Sequence, residues 1–123
     1  MLRNYFKPDE FSCKCSDLEC SGKDVGRISP ELVRRLNKLR LMLGRPVVIT
    51  SALRCAAHNA ASGGKPDSAH LTGEAADIRC GSSVDRYHVL VAALVLFQRV
   101  GIHREFIHVD CDERKPQDVV WMY

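Results

Sequence analysis

The chain has 123 residues and a mass of 13.8 kDa, which is the size of one domain with a single hydrophobic core. Hydrophobic residues make up 46% and charged residues 27% of the sequence, so an intrinsically disordered chain is excluded. The net charge of +3 is small and the basic residues are scattered, which excludes a dedicated nucleic-acid-binding protein. The apolar runs are much shorter than the ~20 residues that span a bilayer, so we expect no transmembrane helix and no membrane insertion.

The chain divides into an irregular arm and a regular core. Residues 1–28 have no sustained periodicity and contain three of the six cysteines, which predicts an arm that lies over a core formed by residues 29–123. The first helix is predicted between the N-cap Ser29 and a stop at Gly44, because leucines recur there at helical spacing.

A long polar loop follows the first predicted strand. The β-branched run at residues 47–50 predicts a short buried strand, and residues 51–73 are rich in Ser, Gly and Ala without periodicity. Such long irregular stretches in compact domains are more often functional than idle. The loop is therefore where we expect functional residues.

The second half of the chain predicts the rest of the sheet. Strands are expected at residues 75–79, 105–110 and 119–123, with a helix that begins at Ser82 or Ser83 and ends before Gly101. Five apolar residues lie on one face of that helix: Val84, Tyr87, Val91, Leu94 and Val95. This order of elements lacks regular βαβ alternation, so it favours an α+β fold with a small, mainly antiparallel sheet and flanking helices in a single domain.

The N-terminal residues bear on the cellular compartment. Pro8, Asp9 and Glu10 occupy the segment where a secretory signal peptide has its apolar core. We therefore expect synthesis without a cleavable export signal, and reduced thiols rather than disulfides.

The cysteines of the arm are a rival metal-binding pattern. Cys13, Cys15 and Cys20 could hold a structural zinc with a fourth ligand, although the C-x2-C pairs typical of zinc ribbons are absent. Cys55 and Cys80 are expected to be packed, inert thiols, because no base is placed to activate either one.

Histidine and carboxylate residues supply a second metal-ligand pattern. His70 precedes Asp77 by seven residues, and Glu105 precedes His108 by three. Catalytic zinc commonly takes three such ligands and leaves a fourth position open. His70, Asp77 and His108 could be these three ligands. Glu105 would then lie outside the ligand set and act as the base that takes a proton from the zinc-bound water. The spacing by itself equally allows these histidines to be ordinary hydrogen-bonded side chains. The chain would then be a cysteine-rich interaction domain in which His70 and Asp77 bind no metal.

The wider sequence resembles a known family. The segments Ser51-Ala-Leu-Arg54 and Ser68-Ala-His70-Leu-Thr-Gly-Glu-Ala-Ala-Asp77, joined to Glu105-Phe-Ile-His108, are similar to the zinc D-Ala-D-Ala carboxypeptidase and L-Ala-D-Glu endopeptidase family. The opening residues 5–15 also look like its short phage and bacterial members.

This resemblance implies roles for individual residues. It makes His70, Asp77 and His108 the ligands of one zinc ion per chain, and Glu105 the general base that activates a water molecule. Arg54 matches the arginine of the S-x-x-R pattern, which suits substrate binding or stabilisation of a developing oxyanion.

Three further residues have supporting roles in this interpretation. Ser68 matches a substrate-contacting position, and His103 matches a histidine that assists the transition state in some members. Asp110 has the same strand parity as His108, so it could orient the ligand imidazole. Glu105 has the opposite parity, and faces the metal only if it lies just before the strand or the chain bulges there.

The resemblance implies the function as well. We expect zinc-dependent hydrolysis of a peptide bond in bacterial peptidoglycan stem peptides, of the carboxypeptidase or endopeptidase type. The protein is expected to be a monomeric phage or prophage lysis enzyme that is made in the bacterial cytoplasm and delivered to the cell wall by other factors. The alternative is a zinc-containing binding module of the same fold, which has no need of a carboxylate at position 105.

Overall fold

Helix α1, Pro30–Leu43, begins and ends where its capping residues predict. The Ser29 hydroxyl accepts a hydrogen bond from the backbone N–H of Leu32 at 3.2 Å, as an N-cap residue does. Gly44 ends the helix with a φ of 69°, in the left-handed region that favours glycine. Leu32, Leu36 and Leu39 are buried in the core, and Leu43 is partly buried against it.

The structure, a computed structural model, describes residues 4–123. The other helices are α2 (Ala56–Ala61) and α3 (Ser83–Leu96), and the strands are β1 (Ile49–Ser51), β2 (Ala75–Arg79), β3 (Arg99–Ile102), β4 (Phe106–Asp110) and β5 (Val119–Met122). The strands form one sheet in the order β1-β2-β4-β3-β5. Three of its pairs are antiparallel and the β3–β5 pair is parallel. The predicted α+β class with a mainly antiparallel sheet is confirmed.

The two faces of the sheet have different chemistry. Ile78, Val100, Ile107 and Val109 point into the core that α1 and α3 cover. Because side chains alternate along a strand, the residues between them face the other way. On that second face the strands carry polar side chains, among them Asp77, His108 and Asp110.

Two elements were not predicted. Helix α2 interrupts the expected loop, and strand β3 begins at Arg99, in residues that were assigned to the end of the second helix. In the structure that helix ends at Leu96, and Phe97 is already extended with φ −128° and ψ 144°. Strand β1 begins at Ile49, two residues later than expected.

The apolar face predicted for α3 is its exposed face. Val84, Tyr87 and Val95 are each at least 65% exposed. The helix packs instead through Val89 and two alanines, whose small side chains allow a close approach to the core. Leu90 and Leu96 also pack against the core, so α3 is apolar on more than one side and the periodicity of its apolar residues did not decide which face is buried.

The described part of the arm contains only short helical turns. They are three single turns of 3₁₀ helix, at Pro8–Phe11, Ser21–Lys23 and Val25–Arg27, and residues 1–3 lie outside the described residues. Over residues 4–123, no helix is both long and apolar enough to cross a membrane.

Candidate active site

Three predicted ligands converge on the polar face of the sheet. Asp77 on β2 and His108 on β4 are directly opposite each other in the strand register, so their side chains lie side by side. His70 reaches them from the loop before β2. Asp77 Oδ1 is 3.2 Å from His70 Nε2 and 2.9 Å from His108 Nδ1. All three side chains are buried.

Backbone contacts fix the orientation of His70. Its N–H donates to the Ser68 hydroxyl at 3.2 Å, and its carbonyl accepts from the backbone N–H of Arg54. The ring Nδ1 donates to the carbonyl of Ala52 at 2.7 Å. The ring proton is thereby held on Nδ1, which leaves the Nε2 lone pair directed at Asp77.

A carboxylate orients His108 in the same manner. His108 Nε2 donates to Asp110 Oδ2 at 2.7 Å, and Asp110 Oδ1 accepts from Arg99 Nε at 2.7 Å. Asp110 is 2% exposed, so this chain of contacts is shielded from water. Such a carboxylate partner fixes the ring tautomer and increases the basicity of the nitrogen that faces the metal.

The protonation equilibria follow from these contacts. Burial opposes the ionised form of Asp77, but the interactions with the neighbouring His108 and His70 rings outweigh it and hold the pKa of Asp77 well below its usual range. Burial also disfavours a charged His108, yet hydrogen bonds to Asp110 and Asp77 raise its pKa. Burial lowers the pKa of His70, and Asp77 only partly offsets this effect.

Arg54 is held against the ligand cluster by three contacts. Its Nη2 donates to Asp77 Oδ2 at 3.2 Å, its Nε to the Ser51 hydroxyl at 2.9 Å, and its Nη1 to Asn59 Oδ1 at 3.2 Å. The side chain is 12% exposed. A guanidinium held in this way presents a fixed positive charge beside the cluster.

The cluster lies in a cavity of about 640 Å³, which is within the usual range for small-molecule sites. Of the predicted residues, Arg54, Ser68 and His103 line it together with the three ligands and Asp110. His103 Nδ1 accepts from the backbone N–H of Glu105 at 3.0 Å. The neutral ring therefore carries its proton on Nε2, where it is a hydrogen-bond donor.

Glu105 is not among the residues that line this cavity. It lies in the turn just before β4, its side chain is exposed, and its carbonyl accepts from the backbone N–H of Cys80 at 2.9 Å. The expected position before the strand is thus observed, but it does not bring the carboxylate to the ligands. The role of Glu105 as general base stays a prediction.

Three aromatic or basic lining residues were missed from the sequence. Trp121, Tyr123 and Arg99 line the cavity. The Trp121 ring is 5.3 Å from the His108 ring, and the Arg99 guanidinium lies 5.0 Å from the centre of the indole. A Cβ at Gly101 would lie 2.6 Å from the Trp121 indole nitrogen. Gly101 therefore allows the indole of Trp121 to lie against β3. This glycine was the sequence feature that could have indicated a large side chain packed at that point.

Cys80 and Cys55 have different surroundings. Cys80 is buried in the core, as expected. Cys55 was also expected to be a packed, inert thiol, and its sulfur lies within 4.0 Å of those of Cys13 and Cys15, a contact that was not predicted. Spacing gave no sign of this contact, since Cys55 is 42 positions from Cys13 and 40 from Cys15.

The donor set of the cavity fits a zinc ion. Around a tetrahedral zinc with ligands at about 2.0–2.2 Å, neighbouring ligand atoms are about 3.3–3.6 Å apart. The 3.2 and 2.9 Å distances to Asp77 Oδ1 are close to this value, and all three donor atoms lie within 4.8 Å of one another. Two imidazoles and one carboxylate also form the three-ligand set of known catalytic zinc sites.

The comparison with protein families agrees with this geometry. A family model described as Peptidase M15 matches residues 4–110, which cover the arm, all three ligands and Asp110. A search of curated proteins finds no match. The family consists of zinc-dependent peptidoglycan metallopeptidases. Because the match includes most of the chain, this protein belongs to the peptidase M15 family.

Proposed function

We propose that this protein hydrolyses a peptide bond in the stem peptides of bacterial peptidoglycan, as a DD-carboxypeptidase or an L,D-endopeptidase. His70, Asp77 and His108 hold one zinc ion in this proposal. The observation that carries it is the convergence of His70 Nε2, Asp77 Oδ1 and His108 Nδ1 in an open cavity lined by charged and aromatic side chains.

Zinc, when bound, acts as a Lewis acid that lowers the pKa of water and polarises a carbonyl group. Arg54 places a positive charge next to the ligands. Because its contacts to Ser51, Asn59 and Asp77 hold it in advance, little reorganisation is needed when negative charge develops on a substrate oxygen. This supports a role for Arg54 in the transition state.

His103 and Glu105 are proposed to handle hydrogen bonds and protons at the other side of the cavity. The Nε2–H of His103 is a donor for a substrate oxygen, and stacking on Phe106, with ring centroids 4.3 Å apart, holds the ring. Glu105 is proposed as the general base on the E-x-x-H pattern alone. Catalytic contacts often tighten only when substrate binds, so an exposed position without substrate is compatible with this role.

A second function is favoured by one observation. Glu105 is exposed and does not line the cavity, which is the arrangement expected for a zinc-containing binding module without turnover. Such a module would retain His70, Asp77 and His108 and would bind stem peptides without cleaving them.

Mass spectrometry of purified peptidoglycan fragments after incubation with the protein separates the two functions. The enzyme generates fragments of defined mass that identify the bond cut, whereas the module leaves the fragments intact. His70→Ala is expected to abolish cleavage, and His88→Ala is the matched control because His88 is exposed on α3. Intact fragments with fully metallated protein would overturn the proposed activity.

A further inference from the structure

Four cysteine side chains meet where the arm contacts the segment after β1. Cys13, Cys15 and Cys20 come from the arm and Cys55 directly follows Arg54. Their sulfur atoms all lie within 4.8 Å of one another. We propose that this cysteine cluster binds a second zinc ion as a structural tetrathiolate site.

The sulfur spacing matches a tetrahedral zinc. With Zn–S distances of about 2.3 Å, the edges of the tetrahedron are about 3.8 Å long. The observed distances are 3.4 Å for Cys15–Cys20, 3.9 Å for Cys15–Cys55 and 4.0 Å for Cys13–Cys55. Only small shifts of the four side chains are needed to complete the site.

The same distances do not favour two separate disulfides. Cys55 Sγ is almost equally far from Cys13 Sγ and from Cys15 Sγ. A pair of disulfides would give each sulfur one preferred partner, whereas a shared metal brings all four together. The arrangement is therefore that of a ligand set.

Backbone N–H groups point at two of the sulfurs. Cys13 Sγ accepts from the N–H of Cys55, and Cys55 Sγ accepts from the N–H of His58, each at 3.4 Å. Hydrogen bonds of this kind stabilise negative charge on a ligand and orient it. Lys23 adds a positive charge, because its ammonium group donates to the carbonyls of Cys13 and Cys15. A zinc ion with four thiolates has a net charge of −2, which this lysine partly balances.

Residues 12–27 of the arm need such a cross-link because, unlike the preceding segment with its buried Phe6 and Phe11, they bury little apolar surface. Apart from cysteines, residues 12–27 contain only two large apolar side chains, Leu18 and Val25, and Leu18 is 84% exposed. So little burial does not offset the loss of chain entropy on ordering. Structural zinc supplies folding free energy directly in segments of this kind.

Close packing shows that the arm is fitted to this position. A Cβ at Gly22 would lie 2.5 Å from Cys13 Cβ and 3.3 Å from the carbonyl carbon of Arg54. Since Cys55 is the neighbour of Arg54, the zinc would anchor the segment that presents the Arg54 guanidinium to Asp77. The second metal is thus a structural partner of the cavity, with no contact to substrate.

Zinc content of matched cysteine variants tests this proposal. We expect two zinc ions per chain in the wild-type protein purified without air. Cys20→Ser is expected to retain one zinc, and Cys111→Ser is expected to retain two, because Cys111 is equally partly buried but lies outside the cluster. Trypsin should also cleave after Lys14 and Lys23 faster in Cys20→Ser than in Cys111→Ser.

The outcomes separate this inference from the proposed function. One zinc in the wild-type protein, lost in His70→Ala and unchanged in Cys20→Ser, would overturn the second site and leave the active site intact. One zinc lost in Cys20→Ser and unchanged in His70→Ala would support the cysteine site and overturn the proposed catalytic one.

Two measurements on the wild-type protein apply even if Cys20→Ser does not fold. Replacement of zinc by cobalt is expected to give a sulfur-to-cobalt charge-transfer band, and its absence would contradict thiolate ligands. Unfolding in the presence of a chelator should expose all six cysteines as free thiols. Two free thiols would instead show that the four clustered cysteines form disulfides.

Discussion

Replacing Asp110 with asparagine tests how the orientation of His108 controls metal binding. Asp110 accepts from His108 Nε2 with one oxygen and from Arg99 Nε with the other, both at 2.7 Å. Asparagine has only one acceptor oxygen. If that oxygen keeps Arg99, the amide NH₂ faces His108 Nε2, and the ring proton must move to Nδ1, the atom that faces Asp77.

The alternative orientation is also unfavourable. If the asparagine oxygen faces His108, the NH₂ group opposes the Arg99 guanidinium and leaves a buried charge without its partner, which costs about 3–5 kcal/mol where it has been measured. Loss of the carboxylate partner of a ligand histidine typically weakens metal binding by about 10- to 100-fold. This loss corresponds to about 1.4–2.8 kcal/mol.

Competition with a chromophoric chelator measures this change in zinc affinity. The Cys20→Ser background removes the contribution expected from the cysteine cluster. Asp112→Asn is the matched control, because Asp112 is 0% exposed and paired with Arg114 but does not contact His108. The reasoning is refuted if folded Asp110→Asn protein binds zinc as tightly as the control.

Three substitutions in or beside the cavity and one pH series are further tests. Arg54→Lys is expected to lower kcat and kcat/KM together by about 10²-fold at normal zinc content. A rise in KM alone would show that Arg54 binds a carboxylate of the substrate in the ground state, and unchanged kinetics would exclude a role of Arg54 in the active site. Glu105→Gln should keep zinc and lose about 10²- to 10⁴-fold in rate, so near-normal turnover would remove it from the mechanism. His103→Phe, which retains the ring stacking, should lower kcat by about 10²-fold through loss of the donor, and an unchanged kcat would argue against that role. In protein from which zinc has been chelated, the raised pKa of His108 stabilises the fold. This contribution is complete below the unfolded pKa of about 6.5 and is lost as pH rises through the folded value. Thermal unfolding without zinc should show this loss, and a melting temperature independent of pH would contradict it.

The features that were predictable from the sequence depend on local rules. Ser29 and Gly44 bound α1 because capping is decided by residues within one turn. The ligand set was recognisable because His70 and Asp77 lie close together in the sequence and match a family pattern. Parity alone placed Asp110 on the same side of β4 as His108.

The features that were missed depend on long-range contacts. Strand β3 pairs with both β4 and β5, and only two residues separate it from the end of α3, so residues 99 and 100 were assigned to the helix. Trp121 reaches the cavity only because it lies across from Gly101 in a parallel pair. The approach of Cys55 to the arm likewise depends on the folded position of residues distant in the sequence.

The central claim is that the cavity is a zinc-dependent peptidase active site. Its most direct test is the rate of cleavage of a defined stem peptide before chelation, after chelation and after zinc is restored. We expect cleavage to stop on chelation and to return with zinc in the wild-type protein and in His88→Ala, but to be absent throughout in His70→Ala. Cleavage that persists after complete zinc removal, or that His70→Ala retains, would contradict the claim.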